Sequence, residues 1–354
     1  MKQSQQHKDS NFDFLRFSAA VMVVISHSYW LHGSHNSESL ITGEFGIGLI
    51  AVYMFFIISG FLVTSSWKNS RDNFSFVIKR LLRIIPALIV ATLFTVFIIG
   101  SFVTELPLAE YYFNNRTWKY LSNLVFWIQF DLPGVFTGNP FPNIVNGSIW
   151  TLPFVLLMDI SLLCFAVSGM LQPTIIVTGL VTLILTNIAL LTFTEVDSKS
   201  IINLITLGTF FYFGVTLYLF YERVPWNKTL ALVLTSVLLL GLTLKLGSIT
   251  LVIALPYLTI YVAYLRIPRL SHFGRYGDFS YGIYLFGFPM QQLIIHWLDA
   301  DSISISAFIA LSLIVSFTMG VLSFYLIERP SLALKRYLSQ RSIDKNINLT
   351  IVKK

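Results

Sequence analysis

The sequence predicts an all-α membrane protein, a polytopic helical bundle of about ten transmembrane helices with both termini in the cytoplasm. Of its 354 residues, 55% are hydrophobic and only 12% are charged, and the mean hydropathy is +0.73. A soluble domain of this length needs about twice that charged fraction to cover its surface. The chain therefore has no sizeable soluble domain. Its single cysteine, Cys164, excludes a disulfide framework.

Ten apolar runs are long enough to span a bilayer. They lie at about 14–32, 46–66, 84–103, 149–169, 173–193, 201–221, 228–245, 248–265, 276–297 and 303–327. An even number of spans places both termini on one side. We therefore divide the chain into a cytoplasmic segment 1–13, a membrane domain 14–327 and a cytoplasmic tail 328–354.

The basic residues set the orientation of these spans. The N-terminal segment, the tail, Arg16 and the loops 67–83, 222–228 and 266–275 hold 20 of the 24 Lys and Arg residues. Lysine and arginine accumulate on the cytoplasmic side of membrane proteins, so both termini are predicted to be cytoplasmic. The net charge of +7 is then an orientation signal, and we expect contact with membrane lipids but not with nucleic acid.

The first span carries two ionisable residues, Arg16 and His27, 11 residues apart. Just over three helical turns separate them, so both lie on one helix face, about 16 Å apart along the axis. A snorkelling arginine or a histidine bonded to a neighbouring helix would each explain one of them. The presence of both residues on one face favours a functional site. Arg16 would lie near the cytoplasm, and His27 would be a general base nearer the outside.

The second and third spans add candidate binding residues. Ser59 and Gly60 form a small polar pair that permits close approach of a helix or a ligand. Arg80 and Arg83, in the sequence KRLLRIIP, are neighbours at the cytoplasmic start of a helix. Two guanidinium groups at a helix N-terminus suit a phosphate, although positive charge on the cytoplasmic side would also explain them.

The long extracytoplasmic loop 104–148 joins the third and fourth spans. It contains an aromatic stretch and the apolar piece LVFWIQF, which is too short to span and predicts an interfacial or re-entrant segment. Pro, Gly and Asn near its end disfavour regular structure. A long ordered loop is often a lid or binding loop, but it can also simply pack on the rim of the bundle.

Four later residues complete the set of candidates. Trp150 lies at the predicted outer rim, and Asp159 is the carboxylate placed deepest in a span, where it needs a partner or a proton. Tyr281 shares a helix face with Tyr284. Glu328 ends the last span at the predicted depth of Arg16, Arg80 and Arg83, so it could pair with any of them.

Six motifs in order resemble the integral-membrane acyltransferase 3 family, whose members acylate bacterial surface glycans. They are FDFLRFSAAVMVVISH, FFIISGFLV, RLLRIIP, SIWTLP, GDFSYGIYL and the closing YLIERP. Each is weak alone, but together they cover about residues 10–337.

The resemblance implies a membrane O-acyltransferase, most simply an O-acetyltransferase, in the bacterial cytoplasmic (inner) membrane. Cytoplasmic acyl-CoA, such as acetyl-CoA, would be the co-substrate, and a surface or lipid-linked glycan would be the acceptor. Arg80 and Arg83, with Arg16, would bind the phosphates of the nucleotide end. His27 would activate the acceptor hydroxyl or carry the acyl group, and Glu328 would organise the inner cluster. We expect no metal ion and no bound cofactor.

One position departs from the family pattern. Members commonly carry a glutamate five residues after the tryptophan of SIWTLP, whereas this chain has Val155. Counting inward from a Trp150 at the outer rim places position 155 level with His27, where a carboxylate would orient the imidazole. Either Asp159, one turn deeper, reaches His27 instead, or the chain is a catalytically impaired member. A transporter or flippase of a lipid-linked glycan is the alternative from another class.

Overall fold

The computed structural model describes residues 10–34, 46–70, 73–193, 198–265 and 267–334. Within those ranges the chain is helical and contains no β-strand, which confirms the predicted fold class. The predicted segment 1–13 and tail 328–354 lie largely outside the described residues.

Ten long helices occur near the ten predicted spans of the described chain. The third begins at Asn73 and not near 84, so Arg80 and Arg83 lie about two turns or more inside it and not at its start. They are α1 (Phe12–Leu31), α2 (Ile47–Lys68), α3 (Asn73–Phe94), α4 (Leu152–Val167), α5 (Pro173–Phe193), α6 (Lys199–Leu219), α7 (Lys228–Thr243), α8 (Gly247–Tyr264), α9 (Ser280–Leu298) and α10 (Ile305–Ser323). A π-helical turn at Thr95–Ile99 extends α3 to Val103, and another at Phe324–Glu328 follows α10.

Eight of these helices, within the described ranges, have the length and apolar composition needed to cross a membrane; α7 and α9 are the exceptions. Helix α7 has only 16 residues, whereas α4, of equal length, is extended to a 20-residue span by the helical turn Ser148–Thr151. Helix α9 has 19, of which 14 are buried, including Gln291 and Gln292. Because other helices surround α9, it need not be as apolar as a helix that faces lipid. The chain is a multi-pass membrane protein, and the count of ten spans stays a prediction.

Helix α1 lies in the middle of the bundle, packed against α2, α9 and α10. The amide of Gln291 on α9 donates to the carbonyl of Val24 and to the hydroxyl of Ser28, at 2.9 and 2.8 Å. Gly287, which is one turn before Gln291 on α9, lies against the side chain of Val24. Helices α1 and α9 therefore run in the same direction, and their residues can be matched in depth.

Helices α2 and α6 approach each other closely through two glycines. A Cβ atom at Gly60 would collide with the backbone carbonyl of Phe211, and one at Gly214 with that of Ile57. Small residues at such crossings let two helix backbones pack directly on each other.

Replacing Gly214 by leucine is expected to destabilise the protein by about 1–3 kcal/mol, since the clash is with backbone rather than a flexible side chain. The measurement is the midpoint of thermal unfolding in detergent. Gly179→Leu on α5 is the matched control, because a Cβ there meets no atom within 4 Å. Equal midpoints for the two variants would contradict the close-crossing argument.

The loop between α3 and α4 folds back along α3. Tyr111, in the short helix Leu108–Phe113, donates to the carbonyl of Val96 at 2.9 Å. Further along, Leu124 and Phe126 of LVFWIQF pack in one cluster with Ala87, Leu88 and Ala91 of α3. The apolar piece therefore packs against α3, and its interfacial or re-entrant place in the membrane stays a prediction.

Candidate active site

An internal cavity lies between α1, α2, α3, α4 and α9. About 130 Å³ of it is open to the centre of a water molecule, whereas one water needs only about 10–15 Å³ in that measure. The space can therefore hold a substrate group. Its lining consists of Arg16, Val52, Phe55, Phe56, Ser59, Leu62, Arg80, Arg83, Ile84, Thr151, Leu152, Val155, Ser280, Tyr281 and Tyr284.

Arg80 and Asp159 form a two-pronged ion pair beside the cavity. The Nε and Nη2 atoms of Arg80 donate to the two carboxylate oxygens of Asp159, each at 2.8 Å, and Nη2 also donates to Ser59 at 3.3 Å. The carboxylate is 7% exposed, so it is a buried charge with a matched partner. The expected contact between Asp159 and His27 is not found, since the carboxylate bonds to Arg80 and Nδ1 of His27 has no hydrogen-bond partner among the described residues.

Asp278 joins the other two arginines of the cavity. Its Oδ2 atom accepts from Nη1 of Arg16 at 2.9 Å and from Nη2 of Arg83 at 2.7 Å. Its Oδ1 atom accepts from the backbone and hydroxyl of Ser280 at the start of α9. In the sequence, Asp278 is marked only as part of the GDFSYGIYL motif. Its partners lie 262 and 195 residues away, so no local pattern could reveal them.

The two predicted tyrosines tie α9 to α3 and to the turn before α4. The hydroxyl of Tyr281 donates to the carbonyl of Ile84 at 2.9 Å. That of Tyr284 donates to the carbonyl of Ser148 and shares a hydrogen bond with Thr151, each at 2.6 Å. They fix the cavity wall opposite α2. Trp150, in contrast, packs edge-to-face on Phe154 and does not line the cavity.

Glu328 is buried in the π-helical turn after α10, where its Oε1 atom accepts from Ser323 at 2.7 Å. Within the described chain it forms no ion pair. The expected pairing with Arg16, Arg80 or Arg83 is therefore not found. Asp278 and Asp159 form the ion pairs with the three arginines instead.

His27 lies beyond the end of the cavity that is predicted to face the outside. Its ring contacts Phe288 of α9 edge-to-face at 5.0 Å, and its Nδ1 atom is enclosed without a hydrogen-bond partner among the described residues. Gly48 of α2 lies against Ser26, and Val52, one turn further along α2, lines the cavity. About one helical turn, roughly 6 Å, therefore separates His27 from the cavity.

Val155 is not level with His27, which corrects the sequence-based estimate of its depth. The hydrogen bond between Thr151 and Tyr284 fixes the start of α4, and Tyr284 lies one turn inward of Phe288, the contact of His27. Val155 is a further turn inward and lines the cavity with Arg80 and Arg83. Trp150 is thus deeper than the outer rim, and a carboxylate at position 155 would meet the arginines.

The fold and this site define a class: multi-pass membrane proteins with an arginine-lined cavity inside the helical bundle. The sequence profile of the acyltransferase 3 family, described as an acyltransferase domain, matches residues 9–327, and the chain belongs to that family. It is an enzyme that transfers acyl groups other than aminoacyl groups. The resemblance carried by the six motifs is confirmed.

Two relatives and one negative result complete the comparison. The chain is 29% identical over 352 residues to an O-acetyl transferase of Shigella phage Sf6, covering 95% of this chain and 98% of that protein. It is 42% identical over 94 residues to Nodulation protein 10 of Rhizobium leguminosarum bv. viciae, covering 25% and 26% of the two chains. No solved structure matches the chain.

Proposed function

We propose that the protein is an O-acyltransferase that moves an acyl group, most simply acetyl, from cytoplasmic acyl-CoA to a hydroxyl of a surface or lipid-linked glycan. The membrane would be the bacterial cytoplasmic membrane. The observation that carries the proposal is the cavity itself, which gathers Arg16, Arg80 and Arg83 inside a bundle of the acyltransferase 3 family. The phage O-acetyl transferase, similar along nearly its whole length, supports transfer to oxygen.

The arginines are assigned to the donor. The arginines were expected to bind the phosphates of the donor. The cavity wall is mainly apolar, however, and the Nε and Nη2 atoms of Arg80 already donate to Asp159. These surroundings favour contact with the thioester end. Among the described atoms, Arg83 uses only Nη2 in a hydrogen bond, so its Nε and Nη1 atoms can donate to a substrate oxygen. A guanidinium there would stabilise the negative charge that develops on the carbonyl oxygen.

His27 is assigned to the acceptor. In the proposed reaction the acceptor oxygen bonds to the thioester carbonyl carbon and the carbon–sulfur bond breaks. The hydroxyl proton passes to His27 and then to the departing thiolate, so that the products are an ester and free thiol. A ring nitrogen that has no hydrogen-bond partner in the described part of the chain, about one turn beyond the cavity, suits a base that meets the acceptor from the outer side.

The loop end at 136–147 closes this outer side. Gln292 on α9 donates to the carbonyls of Phe141 and Ile144 at 2.8 and 2.7 Å and accepts from Asn139 at 2.7 Å. The ring of Phe141 lies 6.4 Å from that of Phe288, the contact of His27. We therefore assign this part of the loop to acceptor binding.

Val155 supports a second candidate, a catalytically impaired member of the family. It lies where a carboxylate would join Arg80 and Arg83, and the neighbouring Asp159 is already paired. Val155→Glu distinguishes the two, since an impaired enzyme should gain acyl transfer from the variant. If the wild type is active and Val155→Glu transfers acyl groups no faster, the result favours the lead proposal.

The test is acyl transfer from radiolabelled acetyl-CoA to surface polysaccharide in membranes that contain the protein. Mass spectrometry of surface glycans with and without the gene then identifies the product. We expect acetyl esters that depend on both the gene and acetyl-CoA. Glycan translocation without any dependence on acetyl-CoA would overturn the proposal in favour of a flippase.

A further inference from the structure

A second pocket, here called the vestibule, lies at the end of the bundle formed by the start of α1 and the end of α2. Its lining consists of Ser10, Phe12, Asp13, Leu62, Ser65, Ser66 and Asn69. About 280 Å³ of it is open to the centre of a water molecule. Under the predicted orientation it faces the cytoplasm.

Leu62 belongs to the walls of both the cavity and the vestibule. On α2, Phe55 and Ser59 line the cavity, whereas Ser66 and Asn69, the residue that caps the end of the helix, line the vestibule. These five residues are spaced by four, three, four and three positions, so they form one stripe along a single helix face. The stripe is about 21 Å long, and Leu62 lies near its middle.

Helix α1 provides the facing side of the same route. Asp13 lines the vestibule and Arg16 lines the cavity, and the two side chains are bonded to each other at 3.3 Å. This pair and Leu62 therefore lie where the two spaces adjoin. Since Leu62 is uncharged and unbranched at Cβ, it can change rotamer at little cost.

The chemistry of the two spaces differs in a way that matches one part of a CoA thioester. The vestibule offers a carboxylate at Asp13, 41% exposed, and hydroxyl and amide groups from α2. Those groups can bond the two amides and the hydroxyl of a pantetheine arm. The arm is uncharged, so Asp13 does not repel it, whereas it does repel phosphate. Beyond Leu62, the apolar cavity suits an acyl group.

We propose that the vestibule binds the pantetheine arm of the donor and that Leu62 is the constriction through which its acyl end enters the cavity. This inference rests on the proposed function, because it takes acyl-CoA as the donor. The phosphates remain outside the vestibule, and the arginines of the cavity meet the thioester.

Binding is tested without turnover by cysteine labelling. Ser66→Cys is made in a Cys164→Ser background, which removes the one native cysteine, and its reaction with a small maleimide is timed. We expect S-acetylpantetheine and acetyl-CoA each to slow labelling at least about 5-fold. Protection by neither probe, or by acetyl-CoA alone, would overturn the assignment to the arm. Protection in a protein that transfers no acetyl group would refute the proposed function and leave the binding site standing.

Selectivity for the acyl group tests the constriction itself. Leu62→Ala is expected to raise the rate with hexanoyl-CoA relative to acetyl-CoA by at least about 5-fold, because it widens the passage. Leu62→Trp should raise the KM for acetyl-CoA about 10-fold or more without lowering the unfolding midpoint. Leu185→Trp, on the exposed face of α5, is the control for added bulk. Unchanged selectivity in Leu62→Ala, with Leu62→Trp as active as the control, would overturn the role of Leu62.

Discussion

Replacing His27 by alanine is expected to lower the rate of acyl transfer by about 10²–10⁴-fold, the usual contribution of a general base. Within the described chain, no side chain is hydrogen-bonded to Nδ1 of the imidazole, so no bonded partner is in place to take over the proton. The measurement is the initial rate of acetyl transfer to a verified acceptor. The KM for acetyl-CoA should change little, since His27 does not line the cavity.

The matched control is His272→Ala. His272 is exposed, and its Nδ1 atom bonds only locally, to the carbonyl of Pro268 and the hydroxyl of Ser271. Its loss should leave the rate within about 2-fold, as is usual for surface positions far from a site. Full activity in His27→Ala would refute the assignment of the base. A loss accompanied by a lower unfolding midpoint would indicate a structural role instead.

Replacing Asp159 by leucine is expected to destabilise the protein by about 3–5 kcal/mol, because it leaves the guanidinium of Arg80 buried without its partner. The double variant Arg80→Met with Asp159→Leu should recover most of that loss, since an apolar pair of similar size removes both charges together. The measurement is thermal unfolding in detergent. The double variant should still lack acyl transfer, because Arg80 is assigned to the donor.

The exposed pair Arg116–Asp131 in the outer loop provides the control. Its side chains are 67% and 32% exposed, so solvent screens the pair and Asp131→Leu should cost at most about 1 kcal/mol. Equal destabilisation by Asp159→Leu and Asp131→Leu would contradict the buried ion pair. A double variant no more stable than Asp159→Leu would show that Arg80 has a second structural role.

The sequence predicts the helices well because each predicted span is one continuous run of apolar residues. Helix α9 shows the limit of that signal, since it carries Gln291 and Gln292 yet lies among other helices. The depth of Val155 shows another limit. Its estimate assumed that Trp150 marks the rim, whereas the Thr151–Tyr284 bond draws the start of α4 into the bundle.

The candidate site is predictable in its residue types and not in its pairings. Arg16, Arg80 and Arg83 are recognisable because charges are costly inside a membrane. Which carboxylate meets which arginine depends on contacts between helices far apart in the chain. Arg80 and Asp159 are 79 residues apart, and Arg16 and Asp278 are 262 apart. Periodicity within one helix carries no information about such contacts.

The bond between α1 and α9 has a consequence for the order in which the protein is made. Gln291 uses its amide on Val24 and Ser28, so α1 acquires this partner only after more than 260 further residues have been made. A glutamine inserted into lipid without an acceptor is unfavourable, so α9 has to meet α1 as it leaves the insertion machinery. Until then α1 stays in the membrane without this contact.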